Sequence, residues 1–463
     1  MNEHSQQTLY LQIYESIKQD IIENKYAENE KLPSIRNLAK KLSVNNITIV
    51  KAYDTLEKDL YVYKKRGSGV YVNKHNIKKN FLEEEILMET FKYGKLEVNC
   101  EINFANSNPN GSYFPITKFK DCINYVIDRD QEKIFAYEDP KGYIELRNTI
   151  SKNLKTEKII TNPEDIQIIS GAQQGIDLIT KSLIHFGDKV IIENPSYSGA
   201  ITSFKRGGAK VIDIPLLKDG IDLKILKKIL TKEKISYLYL MTNFHNPTGI
   251  SYSKKNKIEI LELAKKYNFY IIEDDSSSDL YYKNKPFSLK SMDVNEKVIY
   301  IKSYSRIFMP GLRLGFLIAP KDKLKYISFT KYHTDISTPG LIQRAFEHYL
   351  NSNSWEVHTK KLRVIYKKKF KVAYNLLKKI EYLELFAVPQ GGLYFWLKLD
   401  KVSSEALFLK ALQKKIGILP GSIFKLNEKS EGWIRLCFAD VEIEEIKKGL
   451  KILKESVEEL YKL

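Results

Sequence analysis

Cysteine is scarce. The 463 residues hold three, and Cys100, Cys122 and Cys437 show neither a CxxC spacing nor a nearby histidine partner. That pattern argues against a disulfide framework and a metal site, and leaves buried, idle thiols as the reading. Long hydrophobic runs are also missing, since no apolar stretch approaches the roughly 20 residues that cross a bilayer. The polar start MNEHSQQ lacks the charged and apolar regions of a secretory leader, so a cytoplasmic protein with no membrane partner is expected. Acidic residues are outnumbered, 57 against 75 Lys and Arg, for a net charge of +18. An excess of this size suits a polyanionic partner, and it also suits lysines that serve solubility alone. The chain is longer than one hydrophobic core usually supports, so two or more domains are expected.

What is present changes along the chain. In residues 1–73, Leu9, Ile13, Ile17, Ile21 and Ile22 recur at helical spacing and predict an amphipathic helix ending near Asn24. LPSIRNLAKKL opens with Pro33 and Ser34, and Ser34 is placed to cap a second helix through Leu42. After the tight turn SVNN, Asn45 or Asn46 can cap a third helix, ITIVKAYDTLEKD. Three such helices, with a short turn between the last two, describe a helix-turn-helix. YVYKKRGSGVYV alternates around a GSG turn and predicts a two-stranded wing with Lys64, Lys65 and Arg66 at its tip. In such modules the third helix enters the major groove of double-stranded DNA, while the start of the second helix and the wing grip phosphates. The candidate DNA contacts are Ser34 and Arg36, then Asn45, Asn46, Thr48 and Lys51 on the recognition helix, then Arg66 and Gly67 in the wing.

This stretch resembles the winged helix-turn-helix of the GntR family, in which LPS followed by Arg, a V-x-x-x-T recognition helix and a GSG wing occur in this order. Asn46 stands where many relatives have arginine, and Leu60 where many have glycine. Asparagine suits adenine, whereas arginine suits guanine or phosphate, so the operator preference of relatives does not transfer.

Residues 74–99, KHNIKKNFLEEEILMETFKYGKLEVN, change charge sign midway and carry a partial helical period. They read as a tether, or as the opening helix of the next domain. From residue 100 to 463, apolar runs such as IQIIS, KVIIEN, SYLYLMT, FYIIEDD and VIYIKSY alternate with helical stretches. This is the pattern of an α/β domain with a mainly parallel sheet covered by helices on both faces. Ligands bind such sheets at the carboxyl ends of the strands, and the polar clusters sit there. SGAQQG at 170–175 opens a helix whose free N–H groups at Ala172 and Gln173 suit a phosphate. Tyr197 can lie against a planar ring, and Asn246 begins the rigid NPTG turn. Asp274 can pair with a protonated pyridine nitrogen. Ser303, Ser305 and Arg313 surround an anionic group, and Arg435 has the planar fork for a carboxylate.

Together these pieces resemble the class I aminotransferases of the fold type I pyridoxal-phosphate superfamily. The resemblance implies a seven-stranded, mainly parallel sheet and a small α+β subdomain from about residue 345. It also implies that Ala172, Gln173, Ser303 and Arg313 hold the phosphate with Ser305 nearby, that Tyr197 stacks on the ring, and that Asn246 meets its phenolic oxygen. Asp274 would meet the ring nitrogen and Arg435 the carboxylate of an amino acid. Tyr137, in YEDPKGYIELR, would reach the cofactor phosphate across a homodimer interface. A GntR-like head tethered to such a domain resembles the MocR subfamily of bacterial transcriptional regulators. In that subfamily the second domain senses pyridoxal phosphate or a metabolite that reacts with it, and two chains pair head to tail with their domains exchanged.

One departure bears on catalysis. In the pattern SxSKxxxPGLRLG the Schiff-base lysine position is held by Arg306. A guanidinium stays protonated and is not a nucleophile, so no imine forms there and no general base for transamination stands there. Lys302, four residues earlier at the strand end, is the alternative amine. Ser276 also replaces the tyrosine that relatives commonly carry two residues after the aspartate. Three readings are open. The domain senses pyridoxal 5'-phosphate, pyridoxamine 5'-phosphate or an adduct non-covalently, or it is only a dimerisation scaffold, or it is an aminotransferase that uses another lysine.

Overall fold

The computed structural model describes the chain apart from residues 1, 2, 23, 24, 28, 59, 60, 66, 74–99, 427–431 and 463, and apart from the side chains of residues 3–8, 22 and 58. Arg66, Leu60 and the whole expected tether therefore lie outside the described residues. The chain divides into two compact units, Met1–Lys92 and Tyr93–Leu463.

In the first unit, α1 (Glu3–Ile22), α2 (Ile35–Leu42) and α3 (Asn46–Lys58) precede a hairpin of β1 (Val62–Lys65) and β2 (Gly69–Val72). Ile13, Ile17 and Ile21 are buried against Leu38, Ile49, Ala52, Tyr53, Leu56 and the hairpin valines Val62, Val70 and Val72, while Leu9 is left partly exposed. The caps match the sequence expectation. Ser34 Oγ accepts from Asn37 N–H at 3.3 Å, and Asn45, rather than Asn46, caps α3 by accepting from Ile47 N–H at 3.0 Å. Each such cap stabilises its helix by about 1 kcal/mol.

The second unit is built on a sheet ordered β4-β11-β10-β9-β8-β5-β6-β7. These strands are β4 (Ile166–Ile169), β5 (Lys189–Asn194), β6 (Lys210–Leu217), β7 (Gly220–Ile221), β8 (Tyr237–Leu240), β9 (Tyr270–Asp275), β10 (Val298–Ser303) and β11 (Gly315–Ile318). A separate two-residue strand, β3 (Ile102–Asn103), precedes them. The neighbours from β10 to β6 run parallel, and β11 lies antiparallel to both β4 and β10. The expected seven strands gain an eighth because β7 folds back antiparallel on the edge of β6 through the Lys218–Asp219 turn.

Helices cover both faces. Ile176, Ile179, Phe204 and Ile327 pack on one side against Tyr239, Ile272, Ile299 and Ile301. Leu226, Ile260 and Leu263 pack on the other against Leu238, Ile271 and Val298. Because strand residues alternate between faces, this division sets which side chains of β9 and β10 can meet. A four-stranded antiparallel sheet containing Tyr394–Leu399 and Trp433–Cys437 forms the expected smaller subdomain.

Candidate functional site

The expected site residues gather at the carboxyl ends of β4, β5, β8, β9 and β10. After β4, Gly171 adopts φ +85°, and a Cβ there would stand 2.7 Å from the Arg313 guanidinium. Ala172 then opens the helix Ala172–Leu183, whose first N–H groups have no acceptor within the helix. Arg313 itself takes the left-handed conformation at φ +53° and donates from Nη2 to Ser170 O at 2.7 Å, with Nη1 3.5 Å from Ser305 Oγ. Ser303 Oγ accepts from the Ser305 N–H at 3.3 Å and shapes this turn. Gln173 reaches Ser203 Oγ at 3.0 Å, and the room its amide and the Tyr197 ring occupy exists only because residue 199 has no Cβ.

Asp274 projects from β9 on the face shared by Tyr239, Ile272 and Ile301. Its Oδ2 accepts from Tyr239 OH at 2.8 Å, and its Oδ1 is buried without a partner. Burial pushes the carboxyl up to about 7 even though the Tyr239 hydrogen bond favours the charged form. Burial also pushes the Tyr197 phenol up, and that ring lies within electrostatic range of Arg306, Asp274, Tyr394 and Arg313. Asn246 accepts through Oδ1 from Arg435 Nη1 at 2.9 Å, and Arg435 Nη2 donates to Ala105 O at 2.7 Å. Arg435 Nε is buried with no partner. Burial, with a smaller contribution from the positive charge of Arg306, lowers the pKa of this guanidinium.

Arg306 reaches back to the segment that opens the unit. Its Nη1 donates to Ser107 O at 2.7 Å and lies 3.4 Å from Asn108 Oδ1. Among the described residues, no carboxylate forms an ion pair with Arg306, Arg313 or Arg435, so three permanent cations face one pocket in which Asp274 is the nearby acid. Such a cluster has the chemistry to take an anion.

Lys302 is elsewhere. Strand alternation turns it to the opposite face, with Tyr300 and Asp275. There its ammonium lies 2.8 Å from Asp279 Oδ2, 2.7 Å from Ser278 Oγ and 3.5 Å from Asp275 Oδ2. Burial opposes the charge, but Asp275 and Asp279 hold this ammonium well above the usual lysine range. A lysine that keeps its proton has no lone pair with which to attack an aldehyde.

Several pocket residues were not anticipated. Tyr239 and Tyr394 face Asp274 and Arg435, and Ser107 and Asn108 hold Arg306. Only Tyr239 had a legible signal, since it shares the strand face of the apolar positions before Asp274. The NPTG turn rests on buried Glu193, which accepts from Tyr252 OH at 2.6 Å and from Met241 N–H at 3.1 Å, and which lies 3.1 Å from His245 Nε2. Tyr137 is not drawn into this pocket and is 83% exposed. Cys122 and Cys437 are buried free thiols, Cys100 is a half-buried one, and no metal-binding cluster occurs among the described residues.

In the head, Arg36, Asn45, Asn46, Lys51 and Gly67 are exposed, as is the capping Ser34. Thr48 departs from expectation. It is 6% exposed and joins the buried stripe of Ile49, Ala52, Tyr53 and Leu56, so its side chain faces the head's interior and not a groove. Lys64 also departs from the wing-tip role, because its ammonium folds back to Asp54 at 2.5 Å and Glu57 at 2.6 Å. Lys65 lies over the Tyr63 and Tyr71 rings, and Gly67 holds φ +74° at the turn.

The aminotransferase class I and II family profile matches residues 101–453, and the profile of bacterial regulatory proteins of the gntR family matches residues 9–72. The chain is 30% identical over 469 residues to the HTH-type transcriptional regulator YdfD of Bacillus subtilis, covering 97% of this chain and 96% of that one. It is 31% identical over 441 residues to the HTH-type transcriptional regulator NorG of Staphylococcus aureus, covering 91% and 98%. Among solved structures, the kynurenine aminotransferase of Pyrococcus horikoshii has a TM-score of 0.76 at 28% identity, over 82% of this chain and 94% of that one.

Proposed function

This chain belongs to the aminotransferase class I and II family with a gntR-type regulatory head, and we propose that it is a DNA-binding regulator whose larger unit senses a pyridoxal-type phosphate non-covalently. The ligand is pyridoxal phosphate, pyridoxamine phosphate or an adduct of the cofactor with an amino acid, and the unit does not transaminate. One observation carries the reading. Asp274 Oδ1 is buried without a partner beside Arg306 and Arg435, which hold the carbonyls of Ser107 and Ala105 in the segment that follows residues 74–99.

The fit rests on side chains left waiting. Asp274 Oδ1, buried and unpartnered, suits the N–H of a protonated pyridine. Ala172, Gln173, Ser303, Ser305 and Arg313 would hold the phosphate, and Tyr197 would lie against the ring. Arg435, with its free Nε, would take a carboxylate. Pyridoxal phosphate, when bound, supplies an aldehyde that captures amines. Arg306 offers no nucleophile to it, and Lys302 is locked in a carboxylate cage on the far side of the sheet. Asn246 orients Arg435 and would reach the phenolic oxygen of the ring.

Sensing requires that the ligand bind two conformations unequally. Arg435 and Arg306 hold the carbonyls of Ala105 and Ser107, so an anion that claims either guanidinium weakens that hold. This links occupancy to the segment leading from the head. Two chains pair head to tail in this reading, and the 83% exposure of Tyr137 leaves it available to the neighbouring pocket.

Two measurements on the full chain test the proposal. Calorimetric titration with pyridoxal phosphate and pyridoxamine phosphate should give saturable binding, and borohydride treatment followed by mass analysis should find no adduct. An adduct on Lys302 revives the enzyme, and absence of binding leaves a dimerisation scaffold. Duplex binding should fall steeply with salt and should vanish in a chain beginning at residue 100. Equal DNA binding by the two chains would end the regulator reading.

A further inference from the structure

The recognition helix presents an apolar pair to solvent. Ile49, Ala52, Tyr53 and Leu56 already furnish the buried side of α3. On the other side Ile47 is 62% exposed and Val50 37%. At i and i+3 they are neighbours on one helix face, and Lys51 is exposed beside them.

The surroundings restrict what can cover this pair. The first 73 residues hold eleven Lys and Arg against nine Asp and Glu, so the head is close to neutral and the +18 of the whole chain lies mostly outside it. Its charge is nonetheless segregated. From Lys31 to Tyr53 stand Lys31, Arg36, Lys40, Lys41 and Lys51, with no Asp or Glu among them. Two branched aliphatic side chains inside a purely cationic stretch match a major groove, whose walls are phosphate and whose floor carries one apolar group, the thymine C5-methyl. Asn46, exposed next to Ile47, bears the amide that pairs with adenine N6 and N7.

We infer that Ile47 and Val50 pack on thymine methyl groups and, with Asn46, direct the head to A·T pairs in its operator. This rests on the DNA-binding reading above. Thr48, turned inward, takes no part in the contact.

The test changes the DNA by single methyl groups. The full chain is used to select duplexes from a random library, and each thymine of the recovered sequence is replaced in turn by deoxyuridine. Burying one methyl group corresponds to roughly fourfold in affinity, so one or two thymines should each show a loss of about that size on replacement. Ile47→Ala or Val50→Ala, both at surface positions, should erase the difference between thymine and uracil at its own position. Indifference to uracil throughout, or an unchanged response in both variants, overturns this inference and leaves the regulator reading standing. A change in self-association in place of the uracil response assigns the face to contacts between copies and also overturns it. If no duplex is selected, both readings fall.

Discussion

Replacing Asp274 by asparagine should make the ligand-free protein more stable, by a margin that depends on pH. The folded carboxyl titrates at about 7, against roughly 3.9 for an unfolded aspartate. Below about pH 3 both states hold the proton and the group contributes no difference. As pH rises towards 7 the unfolded chain releases its proton while the folded chain keeps it, so wild-type stability falls. The full penalty is about 4 kcal/mol, of which about 2.3 kcal/mol develops between pH 5 and 7 and about 0.4 kcal/mol above pH 7. Asparagine keeps an acceptor for Tyr239 and never ionises, so the variant's advantage should widen by about 2.3 kcal/mol over that interval and level off about one pH unit above it. Unfolding can be followed by tryptophan fluorescence, because Trp355, Trp396 and Trp433 all lie in the unit that holds Asp274. The same substitution removes the negative charge that would meet a protonated ring nitrogen, so pyridoxamine phosphate should bind the variant at least about tenfold more weakly. Stability curves that run parallel in pH for the two proteins would refute the buried-charge argument. Unchanged ligand affinity would refute the role given to Oδ1.

Further expectations concern the same pocket. Arg306→Lys puts an amine where the guanidinium now sits, so borohydride should trap pyridoxal phosphate on residue 306; no adduct there would mean that the rest of the pocket does not position the aldehyde. Lys302→Met leaves Asp275 and Asp279 buried with less positive charge, and should cost about 3–5 kcal/mol of stability in denaturant melts without changing adduct formation. Gly171→Ala forces a left-handed backbone on alanine and drives its methyl into Arg313, so phosphate-bearing ligands should bind about tenfold or more weakly by calorimetry while DNA affinity of the ligand-free chain is unchanged.

Much of the architecture could be read from the chain because its signals are local. Caps at Ser34 and Asn45, the glycine turn of the wing and the order of strand-end clusters depend on residues within a few positions of one another. The inward turn of Thr48 runs against the DNA-contact reading, although residues 48, 49, 52, 53 and 56 form one helical stripe from which it could have been seen. The neutrality of the head could likewise have been counted from the sequence, and it corrects the inference drawn from net charge alone. The eighth strand was not legible, because two residues of edge pairing carry no periodicity.

Sequence alone determined that an arginine occupies position 306, that Asp274 ends a strand, and that a winged head precedes an aminotransferase-like unit. Tertiary structure decided what those residues face. Pairing of Ile301 with Asp274 and of Lys302 with Asp275 places the aspartate and the lysine on opposite sides of the sheet. The same packing brings Arg306 to Ser107 across 199 residues, and Arg435 to Ala105 across 330. Alternation along a strand can be read from one sequence, but the face that becomes the pocket depends on which helices and strands pack against it.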